Sequence, residues 1–339
     1  MKSEETLTPK GLSLRTKKTA RDGRLRYNVG NVTTERRRYN SFGLHMRERF
    51  GQSVYKVNID AGFTCPNRDG TVGVGGCVYC NNDSFRPSSC KPALGVRQQV
   101  ENGISYLSKR YKANKFIAYF QPYTNTYAPV DELRRIYHEA LAHPGVVGIA
   151  VGTRPDAIDD EKFALLESIA KDYFVLIEFG LQSIYDKSLA YINRGHDYAC
   201  FINAIDMAAN YNLLHIGAHI IAGFPTETIA EMLSMAGVIS GLRLGFLKIH
   251  QLQVVKGTAM AAEYARNPFF VFEYEQYLDF LVEFVERLTP GVVLQRMFAT
   301  APDDILIAPV WNKTRQQILI DIDNKFKQLN TYQGRNYKC

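Results

Sequence analysis

From Tyr39 onward the chain alternates short apolar runs with amphipathic stretches of about 10–15 residues, and this constrains its fold more than any other feature. The apolar runs at 55–60, 116–120, 146–151, 174–180, 215–222 and 246–252 read as strands. The stretches between them, 96–112, 129–142, 160–171, 198–211 and 228–240, read as helices. Pro129 opens one of these, and Asp159-Asp160 places negative charge at the start of another. Six strands with five intervening helices, then a helix over 272–288, predict an α/β fold closing as a partial (β/α)6 TIM-like barrel. A doubly wound open sheet shares the local pattern and is the alternative. Beyond it, 292–298 and 305–307 read as added strands and 311–328 as a terminal helix, a short C-terminal α/β extension. The expected division is 1–38 as a flexible basic extension, 39–255 as the barrel, and 256–339 as an extension packing on it.

With 339 residues, 46% of them apolar and 22% charged, the chain can bury a full core and is not a disordered polymer. No stretch approaches the roughly 20 consecutive apolar residues of a membrane span, and no apolar signal core precedes Glu4 and Glu5. A cytoplasmic protein with no membrane partner is expected, in which six cysteines serve as thiol ligands rather than disulfides. The net charge of +7 is local. Residues 1–38 hold eleven of the 41 Lys/Arg and four of the 34 Asp/Glu, leaving thirty of each elsewhere. Such an arm suits a polyanion through phosphate neutralisation, and equally suits a solvated tail.

Cys65, Cys77 and Cys80 follow the first strand with the spacing C-x11-C-x2-C. The working face of a parallel barrel is the C-terminal end of its strands, so all three belong on that face. Three thiolates can hold three irons of a four-iron cluster and leave the fourth open to a chelating small molecule. Gly70, Gly73, Gly75 and Gly76 let the intervening loop fold close to such a cluster. Other readings stay open on spacing alone. The three could be buried as small apolar residues, although their Gly- and Asn-rich surroundings oppose this. They could bind zinc with Cys90 as fourth ligand, or form a redox C-x-x-C that leaves Cys65 unexplained.

Seven segments in order carry a family resemblance: Asp60-Ala-Gly-Phe-Thr-Cys65-Pro-Asn-Arg-Asp-Gly, Gly76-Cys-Val-Tyr-Cys80-Asn, Tyr119-Phe-Gln-Pro-Tyr-Thr-Asn-Thr126, Gly152-Thr-Arg-Pro-Asp156, Glu178-Phe-Gly-Leu-Gln-Ser183, Asn193-Arg-Gly-His196 and Ile221-Ala-Gly-Phe-Pro225. On these the chain resembles the radical S-adenosylmethionine superfamily. More narrowly, it resembles the branch shared by the elongator catalytic subunit and bacterial proteins of the YhcC/YtqA type. The usual Gly-Gly after the second strand is Gln121-Pro122 here, and Gly152 stands where the elongator branch has an acid. The long cysteine spacing is shared with the YhcC/YtqA type.

The resemblance implies Cys65, Cys77 and Cys80 as ligands of a [4Fe-4S] cluster, with Tyr79 near the adenine of S-adenosyl-L-methionine. It implies Gln121 and Thr124 in the turn that binds the methionine amino group. Glu178, Gln182 and Arg194 would meet ribose and methionine carboxylate, and Ile221 and Gly223 the adenine. The residue types suit these tasks: Arg194 offers a fixed fork for a carboxylate, and Glu178 accepts hydrogen bonds. A 5′-deoxyadenosyl radical and an electron donor of the flavodoxin or ferredoxin type follow from the resemblance. So does tRNA as substrate, with wobble 5-carboxymethylaminomethyl-uridine becoming 5-aminomethyl-uridine. A radical enzyme acting on a small metabolite or peptide, and a zinc-stabilised RNA-binding protein without catalysis, are the alternatives. Lys248 and Lys256, near the end of the sixth strand, are expected to contact substrate. His196, His219 and His250 read as capping or core groups, and Cys200 and Cys339 show no pattern.

Overall fold

A computed structural model describes residues 37–82 and 93–338. The expected basic extension therefore lies almost wholly outside the described residues, as do Cys90 and Cys339. The chain runs α1 (Phe42–Phe50), β1 (Val54–Ile59), α2 (Val96–Tyr111), β2 (Lys115–Phe120), α3 (Val130–Leu141), β3 (Val146–Thr153), α4 (Asp160–Ala170), β4 (Phe174–Gln182), α5 (Asp186–Tyr191), α6 (Tyr198–Ala208), β5 (His215–Ala222), α7 (Ile229–Ser240), β6 (Phe246–Gln251), β7 (Val254–Val255), α8 (Ala259–Arg266), α9 (Tyr274–Arg287), β8 (Val293–Arg296), β9 (Leu306–Ala308) and α10 (Arg315–Gln328).

Seven strands make one parallel sheet in the order β1-β2-β3-β4-β5-β6-β8, curled into a partial barrel. The order follows the chain without reversal, whereas a doubly wound sheet reverses at a switch point. The strand expected at 292–298 joins this sheet as a seventh parallel member. The crossover through α9 lays Val293 beside Phe246 and Leu294 beside Leu247. The strand expected at 305–307 forms one residue later, as β9, and pairs antiparallel with β7. β1 and β8 do not pair with each other. At β8 the segment before α1 supplies a bridge instead, Leu294 N–H donating to Asn40 O at 2.7 Å. Gln333 locks that segment, its backbone N–H donating to Arg38 O while its side chain accepts from Asn40 N and donates to Thr289 O and Val292 O.

The helices begin where side chains satisfy otherwise orphaned amides. Asp159 accepts from Lys162 N at 3.0 Å, and Thr228–Glu231 and Thr314–Gln317 form reciprocal capping boxes. The Thr314 box starts α10 at Arg315 rather than at 311. β2 and β4 are buried along nearly their whole length, as parallel strands covered on both faces are. Inside the barrel, α1 plugs the end where the strands begin: Met46 packs with Ile117, Phe174, Leu176 and Phe246. No described helix is long and apolar enough to cross a membrane.

Gly148 shows how closely the sheet is built. A Cβ there would stand 2.1 Å from Phe174 O, a backbone atom in the neighbouring strand. Gly148→Ala is expected to cost about 2–3 kcal/mol in denaturant unfolding, since only strand displacement relieves the overlap. A loss below about 0.5 kcal/mol, the usual scatter of neutral surface changes, would show that β3 and β4 part freely there.

Candidate active site

The cysteine loop leaves β1 and is fastened to the segment after α5. Asn67 donates to Asn193 O at 2.6 Å and approaches Cys77 Sγ at 3.8 Å, while Asn193 donates back to Gly76 O at 3.0 Å. Gly195 holds φ +75°, and a Cβ there would meet Asn67 Oδ1 at 2.6 Å, so the Asn193-Arg-Gly motif clears room for the loop. Of the loop glycines, Gly70, Gly75 and Gly76 take positive φ as the sequence suggested; Gly73 instead admits Asn67 at close range.

Arg194 donates to Cys77 Sγ at 3.5 Å and to Gly180 O at 2.6 Å. Arg154 grips Asp156 through two hydrogen bonds, at 2.8 and 2.6 Å, and its remaining amine donates to Arg194 O at 2.9 Å. Arg154 is thus a positioning residue for Arg194. Arg68 donates to Cys80 O at 2.9 Å. Burial pushes the Cys80 thiol up, the neighbouring Cys77 adds to this, and Arg68 pulls against both. Among the described residues no three His, Cys, Asp or Glu side chains group closely enough for a single metal ion. One zinc would draw its thiolates to about 2.3 Å each, whereas a cluster gives each thiolate its own iron.

Ten of the eleven expected site residues line one cavity of about 1220 Å³; the exception is Gly223. A Cβ on Gly223 would face Phe272 and Leu252, so its φ of +108° turns the chain behind the cavity wall. Tyr79 and Ile221 share an apolar cluster with Phe224 and Leu252, and Tyr79, Ile221 and Leu252 line the cavity. Gln121 and Thr124 hang on the turn after β2. Asn125 fixes that turn by donating to Phe120 O, Pro122 O and Gly152 O. Thr124 N–H donates to Thr64 O at 3.2 Å, tying the turn to the cysteine loop. Gln182 Oε1 and Arg194 Nε are buried without partners among the described residues. They remain for a ligand beside the cysteines.

Deeper in the barrel, Glu178 is engaged by two ammonium groups. Lys56 Nζ lies 2.7 Å from Oε1, and Lys248 Nζ bonds Oε2 and the Tyr119 hydroxyl. Burial alone would raise the Glu178 pKa, but the two lysines outweigh it and hold the carboxyl well below its usual range. Burial pulls Lys248 down to about 7, with Glu178 opposing. Lys248 reaches the cavity as expected; Lys256 instead donates to Asp304 O at the exposed edge. Sequence reasoning gave Lys56, Gln295 and Arg296 no role. The available signal was the two-residue alternation that puts Lys56 and Asn58 on one face of β1.

Three histidines link this interior to pH. Burial holds His215 down to about 4, with Arg49 and His45 adding, and His219 down to about 3, with Lys248 adding. His250 is held well below its ordinary value by burial and by His219, with which it shares a 2.8 Å hydrogen bond. Their folded pKa values lie below the unfolded value near 6.5. As pH falls below about 6.5 the unfolded chain therefore binds more protons, and stability drops. The cofactor-free protein is expected to lose about 3 kcal/mol between pH 7 and 5, a sum discounted because His219 and His250 face the open cavity. Unfolding midpoints flat over that range would refute neutral burial of these rings.

Residues 65–239 match the Radical SAM superfamily, and residues 244–328 match the Radical_SAM C-terminal domain. The chain belongs to the radical SAM superfamily. It is 31% identical over 302 residues to YtqA of Bacillus subtilis (strain 168), covering 89% of this chain and 94% of that protein. It is 36% identical over 285 residues to YhcC of Escherichia coli (strain K12), covering 84% and 91%. The archaeal Methanocaldococcus infernus Elp3 shares the fold, with a TM-score of 0.64 at 15% identity over 83% of this chain and 64% of that one. The family's cofactors are a [4Fe-4S] cluster and S-adenosylmethionine. The cysteine loop and the unpartnered atoms beside it fit them. When bound, they supply one-electron cleavage of the sulfonium to a 5′-deoxyadenosyl radical.

Proposed function

We propose that this radical SAM enzyme modifies tRNA, converting wobble 5-carboxymethylaminomethyl-uridine to 5-aminomethyl-uridine. A hydrogen atom is taken from the CH₂ between amine and carboxylate, and the carbon radical loses one further electron, for which the oxidised cluster would be the acceptor. Water hydrolyses the resulting imine, freeing the aminomethyl group and releasing the two-carbon arm as glyoxylate. In this reading Cys65, Cys77 and Cys80 hold the cluster. Arg194, Gln182 and the turn Gln121–Thr124 hold the methionine end of S-adenosylmethionine, and Tyr79 and Ile221 flank its adenine. The part over 39–255 carries the cluster and S-adenosylmethionine contacts, and 256–339 adds β8 to the sheet and walls one side of the cavity. A flavodoxin- or ferredoxin-type protein supplies the electron, and the N-terminal basic segment offers cations to the tRNA backbone.

The observation that carries the substrate is charge. Seven Lys/Arg side chains line the cavity against one carboxylate, Glu178, among the described residues. A site of this sign concentrates anions, and the proposed substrate is anionic in its backbone and carries a carboxylate at the end of the arm attacked. The similarity to YtqA over nearly the full length of both chains supports membership of the same branch of the superfamily. The test is mass spectrometry of tRNA nucleosides from cells with and without the gene. Accumulation of 5-carboxymethylaminomethyl-uridine in the deletion is expected. An unchanged wobble-uridine profile rules the reading out.

A further inference from the structure

Three side-chain nitrogens lining the cavity away from the cysteine loop are buried without a partner: Gln295 Nε2, Arg296 Nε and His250 Nε2. They sit on the adjacent strands β6 and β8. Gln295 is oriented by its own carbonyl oxygen, which accepts from Lys56 Nζ at 2.6 Å, so its NH₂ faces elsewhere. Arg296 has one recorded hydrogen bond, from Nη2 to Thr300 Oγ1 at 3.0 Å, and no carboxylate partner among the described residues. The nearby acid, Glu178, is already shared by Lys56 and Lys248. A guanidinium lowered into a protein without a countercharge is costly. Arg and Gln nitrogens can only donate, so the missing partner must be an acceptor.

We infer that Arg296 is the anchor of an oxyanion subsite that takes a carboxylate of the substrate, with Gln295 Nε2 and His250 Nε2 as further unpartnered polar atoms of the same cavity. It stands apart from Arg194 and Gln182, whose unpartnered atoms lie beside the cysteines. This deepens the proposed function, and rests on it only for the identity of the carboxylate: the end of the carboxymethylaminomethyl arm. Held there, the arm presents its CH₂ at a fixed distance from its own anchor. The subsite thereby distinguishes the carboxylate-bearing arm from the shorter aminomethyl product, which lacks the group that Arg296 grips.

The test uses the reconstituted full-length protein and two anticodon stem-loops. They differ only at the wobble arm, one ending in carboxylate and the other in the neutral carboxamide. Wild type is expected to bind the carboxylate RNA about tenfold or more tighter, the worth of one charge-assisted hydrogen bond. Arg296→Gln is expected to erase that preference, and Arg296→Lys to restore part of it. Iron and sulfide content of each variant reports that it has folded around its cluster. Undiminished preference in Arg296→Gln overturns the subsite. Should wild type bind neither RNA, the tRNA reading fails, and thermal shifts with N-methylglycine against its amide decide the subsite alone. A carboxylate-specific shift lost in Arg296→Gln upholds it, and no shift in wild type overturns it.

Discussion

Glu178→Ala is expected to destabilise the protein by about 3–5 kcal/mol, the cost of stranding buried charge by removing its partner. Glu178 is 5% exposed and is the shared countercharge of Lys56 and Lys248. Without it, two ammonium groups face each other inside a barrel whose other nearby cation is Arg296. The penalty should depend on pH with a definite sign. Glu178 is what holds the Lys248 pKa up against burial, so in the variant that pKa falls below the value of about 7 it has in wild type. Below pH 7 the folded variant then binds fewer protons than folded wild type, while the unfolded chains bind alike at Lys248. Stability of Glu178→Ala relative to wild type therefore recovers as pH rises from about 5 to about 7 and levels off above it. Adding Lys248→Met to Glu178→Ala should return part of the loss, a non-additivity that a double-mutant cycle measures directly. Unfolding curves showing under about 1 kcal/mol for Glu178→Ala, as an exposed ion pair would give, would mean that water reaches this cluster.

The parts of this architecture legible in the sequence are those with a local signal. The strands that open a βα unit read correctly because each has at least one continuous apolar face, β2 and β3 having two, and each is followed by a helical period. The short helices α1, α5 and α8 were missed, having only nine, six and eight residues over which to show a period. The barrel count was one short because Val293–Arg296 is brief, and its membership in the main sheet depends on pairing with Phe246 and Leu247. The site divides in the same way. The cysteine loop and its supporting motifs are contiguous in sequence, and ten of the residues they mark reach one cavity. Lys56 on β1 and Gln295 on β8 come from strands far apart in the chain, and only the curl of the sheet brings them together beside Glu178. A lysine in a strand reads as surface until the inner face of that strand is known to line a cavity.

Alanine in place of Cys65, Cys77 or Cys80 is expected to abolish 5′-deoxyadenosine formation, a loss of at least about 10³-fold, because the chemistry resides in the bound cofactors and the protein holds them. The three positions should not respond alike in cluster content. Cys77 is buried and receives hydrogen bonds from Arg194 and Asn67, which pin it between the loop and the segment after α5. Its loss leaves Arg194 without that sulfur acceptor, so Cys77→Ala should also lower the unfolding midpoint of the cofactor-free protein. Cys65 is half-buried and has no recorded side-chain hydrogen bond, so its removal should cost cluster and activity with little loss of stability. Cys200 is the internal control. It lies on α6, outside the cavity, with its amide held by Asp197, and Cys200→Ser should keep both iron and activity. Iron and sulfide analysis after anaerobic reconstitution, together with chromatography of 5′-deoxyadenosine, reads all four variants. Wild-type cluster content in any of the first three would mean that this cysteine is not a ligand of the cluster.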